Sequence, residues 1–98
     1  LGEAANKDEV AAIKHAIESH PNVERVVELL TMHLAPKQIL INAHVQLRPN
    51  LVTGDIEKSI AEIEDRIKRA EPKVEMIFLE AARGDLVDVD RPVAGYIA

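Results

Sequence analysis

The residues best suited to chemistry in this 98-residue sequence are four histidines and 17 aspartates and glutamates. Imidazole nitrogens and carboxylate oxygens both bind zinc. His33, next to the Ala35-Pro36 turn, could ligate a metal or simply lie exposed at that turn. We expect His20 to end a helix, where the helix dipole stabilises a protonated imidazole. His15 should face water and is assigned no role.

Covalent and nucleotide-dependent catalysis have no support in the sequence. It contains no cysteine, so thiolate nucleophiles, thiolate metal sites and disulfides are excluded. It also lacks a glycine-rich phosphate loop, and no serine stands in a recognisable motif with a histidine and an acid. We therefore predict that the chain is not an enzyme.

Composition narrows the function classes further. Acidic residues outnumber basic ones by 17 to 12, and aromatic residues make up only 2% of the chain. Nucleic-acid binding is disfavoured, because it uses basic stripes and aromatic stacking platforms. No apolar run approaches the roughly 18 residues of a membrane span. Since the chain starts at Leu1 rather than Met, we expect it to be part of something longer.

The elements that must position the histidines can be predicted from residue spacing. Asn6 and Glu9 fit a capping box at the start of a first helix, which should end before Pro21. Val23 to His33 is predicted as a strand. A second strand follows, in which apolar residues alternate with mostly polar ones. The alternating apolar residues are Ile39, Ile41, Ala43, Val45 and Leu47.

A second helix is the clearest element of the sequence. Thr53 is predicted as its N-cap, and an isoleucine stripe formed by Ile56, Ile60, Ile63 and Ile67 should face the core. Acidic residues precede basic ones by four positions at Glu62–Arg66, Glu64–Lys68 and Asp65–Arg69. Val74 to Glu80 is predicted as a third strand, and residues 85–98 as a tail or an added edge strand.

The predicted order is helix, strand, strand, helix, strand, which is an α+β two-layer sandwich of ferredoxin-like type. Both helices would cover one face of the sheet. The second face would carry Asn42, His44 and Gln46, and we expect it to serve as a partner or dimer surface.

Several segments occur in order along the chain: Leu1–Ala5, His20–Val26, Leu30–Pro36 with Ile39–Ile41, Ile63–Ile67, Pro72–Val74 and Ile77–Glu80. Together they resemble the cation diffusion facilitator family of metal transporters over residues 1–82. The first segment resembles the junction that follows the last transmembrane helix, and the second resembles the His-Pro-x-Val-x-x-Val stretch of the family.

The resemblance implies the cytosolic C-terminal domain of a proton-coupled divalent-metal exporter, with a metallochaperone-like fold. Residues 1–6 would be the junction, 7–82 the domain and 83–98 a tail of unknown role. The full-length protein would be an integral membrane protein with this domain on the cytoplasmic side. We expect a homodimer formed through the uncovered sheet faces and their lower edges, with metal at most tuning the angle between the two copies.

The resemblance also implies a zinc site near the dimer interface, but most of its ligand positions are apolar in this sequence. They are Val27 on the first strand, Leu79 and Ala81 on the last strand, Ala43 or, with a one-residue shift, His44 on the second strand, and Glu57 near the start of the second helix. The candidate ligands are therefore His44 and Glu57, with His33 as another. A further ligand would come from Glu28, Glu80 or a partner chain. Zinc is the expected metal, and it is not required for the fold.

Two other interpretations stay open. His44 fits a polar strand face and Glu57 fits a helix N-terminus without any metal, since two ligands with no spacing motif are weak evidence for a site. The whole chain also fits a stand-alone ferredoxin-like module that binds a small molecule or a protein through its free face.

Overall fold

Two helices and three strands follow one another in the predicted order. The computed structural model describes residues 2–83, so residues 84–98, with the predicted tail or edge strand, lie outside the described part. The elements are α1 (Lys7–Glu18), β1 (Val23–Ala35), β2 (Gln38–Leu47), α2 (Thr53–Ala70) and β3 (Val74–Arg83). Within residues 2–83, neither helix has the length and apolar character that crossing a membrane requires.

The three strands form one sheet in the order β1-β2-β3. β1 and β2 are antiparallel and are joined by a tight turn, as predicted. β2 and β3 are parallel, so the chain must cross over between them, and α2 makes that crossover. The registry of β1 against β2 is irregular on both sides of Val26, where residues are inserted in β1.

The core lies between one face of the sheet and the two helices. All five alternating apolar residues of β2, from Ile39 to Leu47, are fully buried there. The helices contribute isoleucines from their inner faces: Ile13, Ile17, Ile63 and Ile67. The apolar cluster of this layer is built from aliphatic side chains, and the predicted two-layer α+β sandwich is confirmed.

Three boundaries differ from the predicted ones, and the first is the end of β1, which continues past His33 to Ala35. Thr53 is the first residue of α2 rather than its N-cap; Val52 holds the N-cap position, and it has no side chain that can accept a capping hydrogen bond. β3 continues past Glu80 to Arg83 because its pairing with β2 continues as far as Leu47. At α1 the predicted capping box is present, with Asn6 and Glu9 each accepting a backbone N–H from the other.

Candidate functional site

The face of the sheet that no helix covers is the candidate site, and we call it the open face. Its residues alternate along the strands with those that point into the core. They are Glu28, Leu30 and Met32 on β1, Leu40, Asn42 and His44 on β2, and Met76, Phe78 and Glu80 on β3.

One end of the open face is apolar. Leu40 lies between Met32 and Met76, and Asn42 lies between Leu30 and Phe78. Phe78 is 52% exposed, and the other outer side chains of these two rows are 42–43% exposed. The residues of β2 alone, among them Asn42, His44 and Gln46, predicted a mostly polar open face. The apolar residues that β1 and β3 place beside them were missed, although the alternation within each strand would have indicated them.

The other end of the open face is polar and centres on His44. Its cross-strand partners are Glu28 on β1 and Glu80 on β3, so an imidazole lies between two carboxylate-bearing residues in one row. His44 is only 6% exposed although no helix covers it. The side chains of the flanking strands shield the central strand.

The strand register shows which face of the sheet holds the ligand positions that the family resemblance implied. Leu79 pairs with Ala43, Ala81 pairs with Val45, and all four pack on the core side beneath the helices. These positions therefore face the core rather than the open face. With the one-residue shift, the positions that do face outward are His44 on β2 and Glu80 on β3.

The three predicted ligands His44, Glu57 and His33 are not brought together. Glu57 is exposed on α2, in the helical layer. His33 pairs with the buried Ile39 and so lies on the helix side of the sheet, opposite to His44. Among residues 2–83, no group of three or more histidines and acids is arranged to hold a metal ion.

His33 belongs instead to a polar cluster centred on Glu9, a buried carboxylate on α1. One oxygen, Oε1, accepts the Asn6 N–H at 2.9 Å and lies 3.2 Å from His33 Nε2. The other, Oε2, accepts a hydrogen bond from Lys73 Nζ. His33 is thus partly buried and engaged with protein groups, and the expectation that it lies exposed at the turn is wrong.

These contacts explain the acidity of Glu9. The hydrogen bond from Lys73, followed by those from the Asn6 N–H and His33, lowers the pKa of Glu9 from 4.5 to about 2, against the opposing effect of burial. The same ion pair raises the pKa of Lys73. Residues 9 and 73 are 64 positions apart, so spacing along the sequence gave no indication of the pair.

A second buried polar contact joins the turn after α1 to α2. His20 is 3% exposed, and its Nε2 lies 2.9 Å from Oε1 of Glu62. The Asn22 N–H donates to its Nδ1, so the ring carries its proton on Nε2 and donates to Glu62. This hydrogen bond lowers the pKa of Glu62. His20 was predicted to act through a helix dipole, and this specific bond replaces that role.

Most of the i,i+4 ion pairs predicted along α2 do not form, because some of their side chains bond to residues outside the helix. Of the three predicted pairs, all of which lie within residues 2–83, only Asp65–Arg69 forms an ion pair, at 2.9 Å. Glu62 turns to His20, while Arg66 donates to the backbone oxygen and hydroxyl of Ser19. Charged side chains of α2 therefore bind the turn after α1, in addition to forming one ion pair within the helix.

The lowered pKa of Glu9 predicts a specific loss of stability in acid. A carboxylate that is more acidic in the folded chain contributes stability above its ordinary pKa of 4.5, and this contribution disappears as the pH falls from 4.5 to about 2. Glu9→Gln should therefore be less stable than the unaltered chain at neutral pH, and the difference should shrink through that window. Urea unfolding at a series of pH values measures it.

The exposed Glu3→Gln is the matched control for Glu9→Gln, and it should follow the unaltered chain at every pH. The residual acid dependence of Glu9→Gln should come from Glu62, whose pKa is also lowered. A constant stability difference between Glu9→Gln and the unaltered chain from neutral pH to pH 2 would contradict the role given to the Glu9 carboxylate.

Comparison with known proteins bears on what this face is for. A family model described as the cytoplasmic domain of cation efflux proteins matches residues 5–80. The chain belongs to the cation efflux protein family. It is a cytoplasmic dimerisation domain of that family, so the resemblance noted in the sequence is confirmed. Of the two functions considered from the sequence, family membership supports the exporter domain over the stand-alone module.

Solved structures match the cation efflux domain along most of its length. A nickel form of a variant of the MamM C-terminal domain superposes with a TM-score of 0.74 at 15% identity, covering 80% of this chain and 98% of that one. A cadmium form of another variant gives a TM-score of 0.73 at 14% identity, covering 79% and 95%. At this identity the likeness establishes the shared fold. No curated protein sequence matches the chain.

Proposed function

We propose that this cation efflux domain dimerises through its open face and regulates a proton-coupled, zinc-type divalent-metal exporter. Transport would be carried out by a transmembrane domain preceding it in the full-length protein, since cation efflux is the activity of the family. The observation that carries the proposal is the apolar end of the open face, on a sheet whose other face is filled by helices.

A second copy of the chain is the occupant that fits this face. In a two-fold dimer the same patch meets itself, so it must be self-complementary. The rows around Leu40 and Asn42 are apolar at both outer strands and can pack against their own copies. The carboxylates of Glu28 and Glu80 lie in the His44 row, and that of Glu24 bonds to Gln46 beyond it, so a pairing centred on the apolar rows brings few like charges together.

Sedimentation equilibrium of the chain over a range of concentrations tests the association. A reversible dimer supports the proposal. A monomer at every concentration overturns it, because the apolar rows of the open face would then have no partner copy.

Metal sensing would be centred on the His44 row. Imidazole and carboxylate are suitable zinc ligands, and Glu28 and Glu80 are the cross-strand partners of His44. Since residues 2–83 of one copy hold no complete ligand group, a second copy would supply the remaining ligands. Metal then stabilises whichever arrangement of the two copies brings the ligands together. Variants of the MamM C-terminal domain, which shares this fold, were solved in a nickel form and a cadmium form, and this supports the proposal that the domain binds a divalent ion.

Calorimetric titration with Zn²⁺ tests the role of His44. In the dimer, His44→Ala should weaken zinc binding by more than about tenfold, because an imidazole ligand is lost. His15→Ala removes an exposed histidine of α1 and should leave the titration unchanged. Equal heats from His44→Ala and the unaltered chain would exclude His44 as the ligand. Absence of heat from both would leave dimerisation as the sole role of the domain.

A further inference from the structure

The two methionines of the sequence lie in one row of the open face. Met32 on β1 and Met76 on β3 are the cross-strand partners of Leu40, one on each side of it. Neighbouring strands are about 4.8 Å apart, so the backbones of the two methionines are about 10 Å from one another. The sequence contains no cysteine and no further methionine, so these two thioethers hold the only sulfur atoms of the chain.

Both thioethers are accessible to small reagents in a single copy of the chain. Met32 and Met76 are each 43% exposed. Their neighbours in the next row of the open face, Leu30 and Phe78, are apolar and similarly exposed. Because the chain has no thiol, these thioethers are the sulfur groups that a peroxide can oxidise.

We propose that Met32 and Met76 form an oxidation site for peroxides, and that their conversion to sulfoxides separates the two copies of the domain. In each step a lone pair of the sulfur attacks one oxygen of hydrogen peroxide. A sulfur–oxygen bond forms, the oxygen–oxygen bond breaks, and the released hydroxide takes the proton of the transferred oxygen and leaves as water. The sulfur is oxidised by two electrons and the peroxide is reduced by two, so the step needs no further reactant.

Oxidation at this row changes the interface and leaves the core intact. Neither methionine belongs to the hydrophobic core cluster, which lies on the other face of the sheet. In the proposed dimer each sulfoxide oxygen would leave water and be buried among apolar side chains, and burial of a polar group in apolar surroundings is costly. Four such groups, two from each copy, should raise the dissociation constant of the dimer by more than about a hundredfold.

The dimer would also protect its own methionines. This part of the inference rests on the proposed function, in which the open faces of two copies cover each other. Peroxide then reaches only separated copies, and oxidation keeps them separated until methionine sulfoxide reductases restore the thioethers. In an exporter, peroxide would in this way control the pairing of the domains independently of any bound metal.

Peroxide treatment followed by sedimentation equilibrium tests the oxidation site. The chain is incubated with hydrogen peroxide until its intact mass shows two added oxygen atoms. The untreated chain should be a reversible dimer, and the doubly oxidised chain should be a monomer at the same concentrations. Reductases that act on both sulfoxide epimers should restore the dimer. The far-UV circular dichroism should not change on oxidation, because the core cluster contains no methionine.

Two double variants separate the chemistry of sulfur from the shape of the side chain. Met32→Leu with Met76→Leu keeps the apolar bulk without sulfur, so this variant should dimerise equally well before and after peroxide treatment. Met32→Gln with Met76→Gln introduces a polar group of similar length at both positions. That variant should be a monomer without any peroxide.

The outcomes distinguish this inference from the proposed function. A doubly oxidised chain that dimerises with unaltered strength overturns the inference, and so does a leucine variant whose dimer is lost on peroxide treatment. Oxygen addition at equal rates in monomer and dimer also overturns it, because the methionines would then lie outside the interface. An untreated chain that is already monomeric overturns both proposals, whereas an untreated dimer that survives oxidation overturns only this one.

Discussion

Phe78→Glu is expected to leave the protein monomeric at concentrations where the unaltered chain is a dimer. Phe78 is 52% exposed near the middle of β3 and flanks Asn42 on the open face. In the proposed dimer a carboxylate there would be buried against apolar groups of the second copy without a partner charge. Loss of a central aromatic contact alone costs about 2 kcal/mol of association free energy, which raises the dissociation constant of the dimer by about thirtyfold.

Val52→Glu is the matched control for this substitution. Val52 is 65% exposed, yet it lies at the start of α2 and not on the open face, so the variant adds the same charge in place of a comparably exposed apolar side chain. Sedimentation equilibrium should give a monomer for Phe78→Glu and an unchanged dimer for Val52→Glu. A Phe78→Glu dimer of unaltered strength would exclude the open face as the interface, even if the chain still dimerises.

The fold was predictable because each element depends on a local pattern. The alternation from Ile39 to Leu47, the isoleucine stripe of α2 and the capping box at Asn6 each indicate one element and its inner face. Short connections then leave few ways to arrange them. The errors were at element ends, such as Thr53, where a hydroxyl residue one position inside the helix resembles a cap.

The candidate site was less predictable because it depends on contacts between distant residues. His44 was found from the polar side of β2, and Glu28 and Glu80 were named from the sequence as possible further ligands. That both lie beside His44 in one row depends on the strand register, which includes irregularities in β1. The Glu9–Lys73 pair and the His20–Glu62 bond join residues 64 and 42 positions apart. No spacing rule within one element reports contacts of that kind. The last-strand positions that the family resemblance implied, Leu79 and Ala81, pack against the core.

Ile41→Ala should destabilise the domain by about 2–5 kcal/mol, the range for removing most of a fully buried aliphatic side chain. Ile41 is fully buried at the centre of the sheet, between β1 and β3. Within residues 2–83 the hydrophobic core cluster contains no large aromatic side chain that could move to fill the space, because its members are alanine, valine, leucine and isoleucine. Urea unfolding measures the free-energy change.

This measurement has to separate folding from association, because a dimer adds its binding free energy to the apparent stability of each copy. We therefore place Ile41→Ala, and the adjacent Leu40→Ala as its control, in the monomeric Phe78→Glu background. Leu40 is the neighbouring residue on β2 but faces the open side, so its loss should cost less stability in the monomer.

In the chain with Phe78 the order of effects on dimer strength should reverse, because Leu40 lies in the proposed interface and Ile41 beneath it. Equal losses of stability from the two variants in the monomer would contradict the assignment of opposite faces to neighbouring residues of β2.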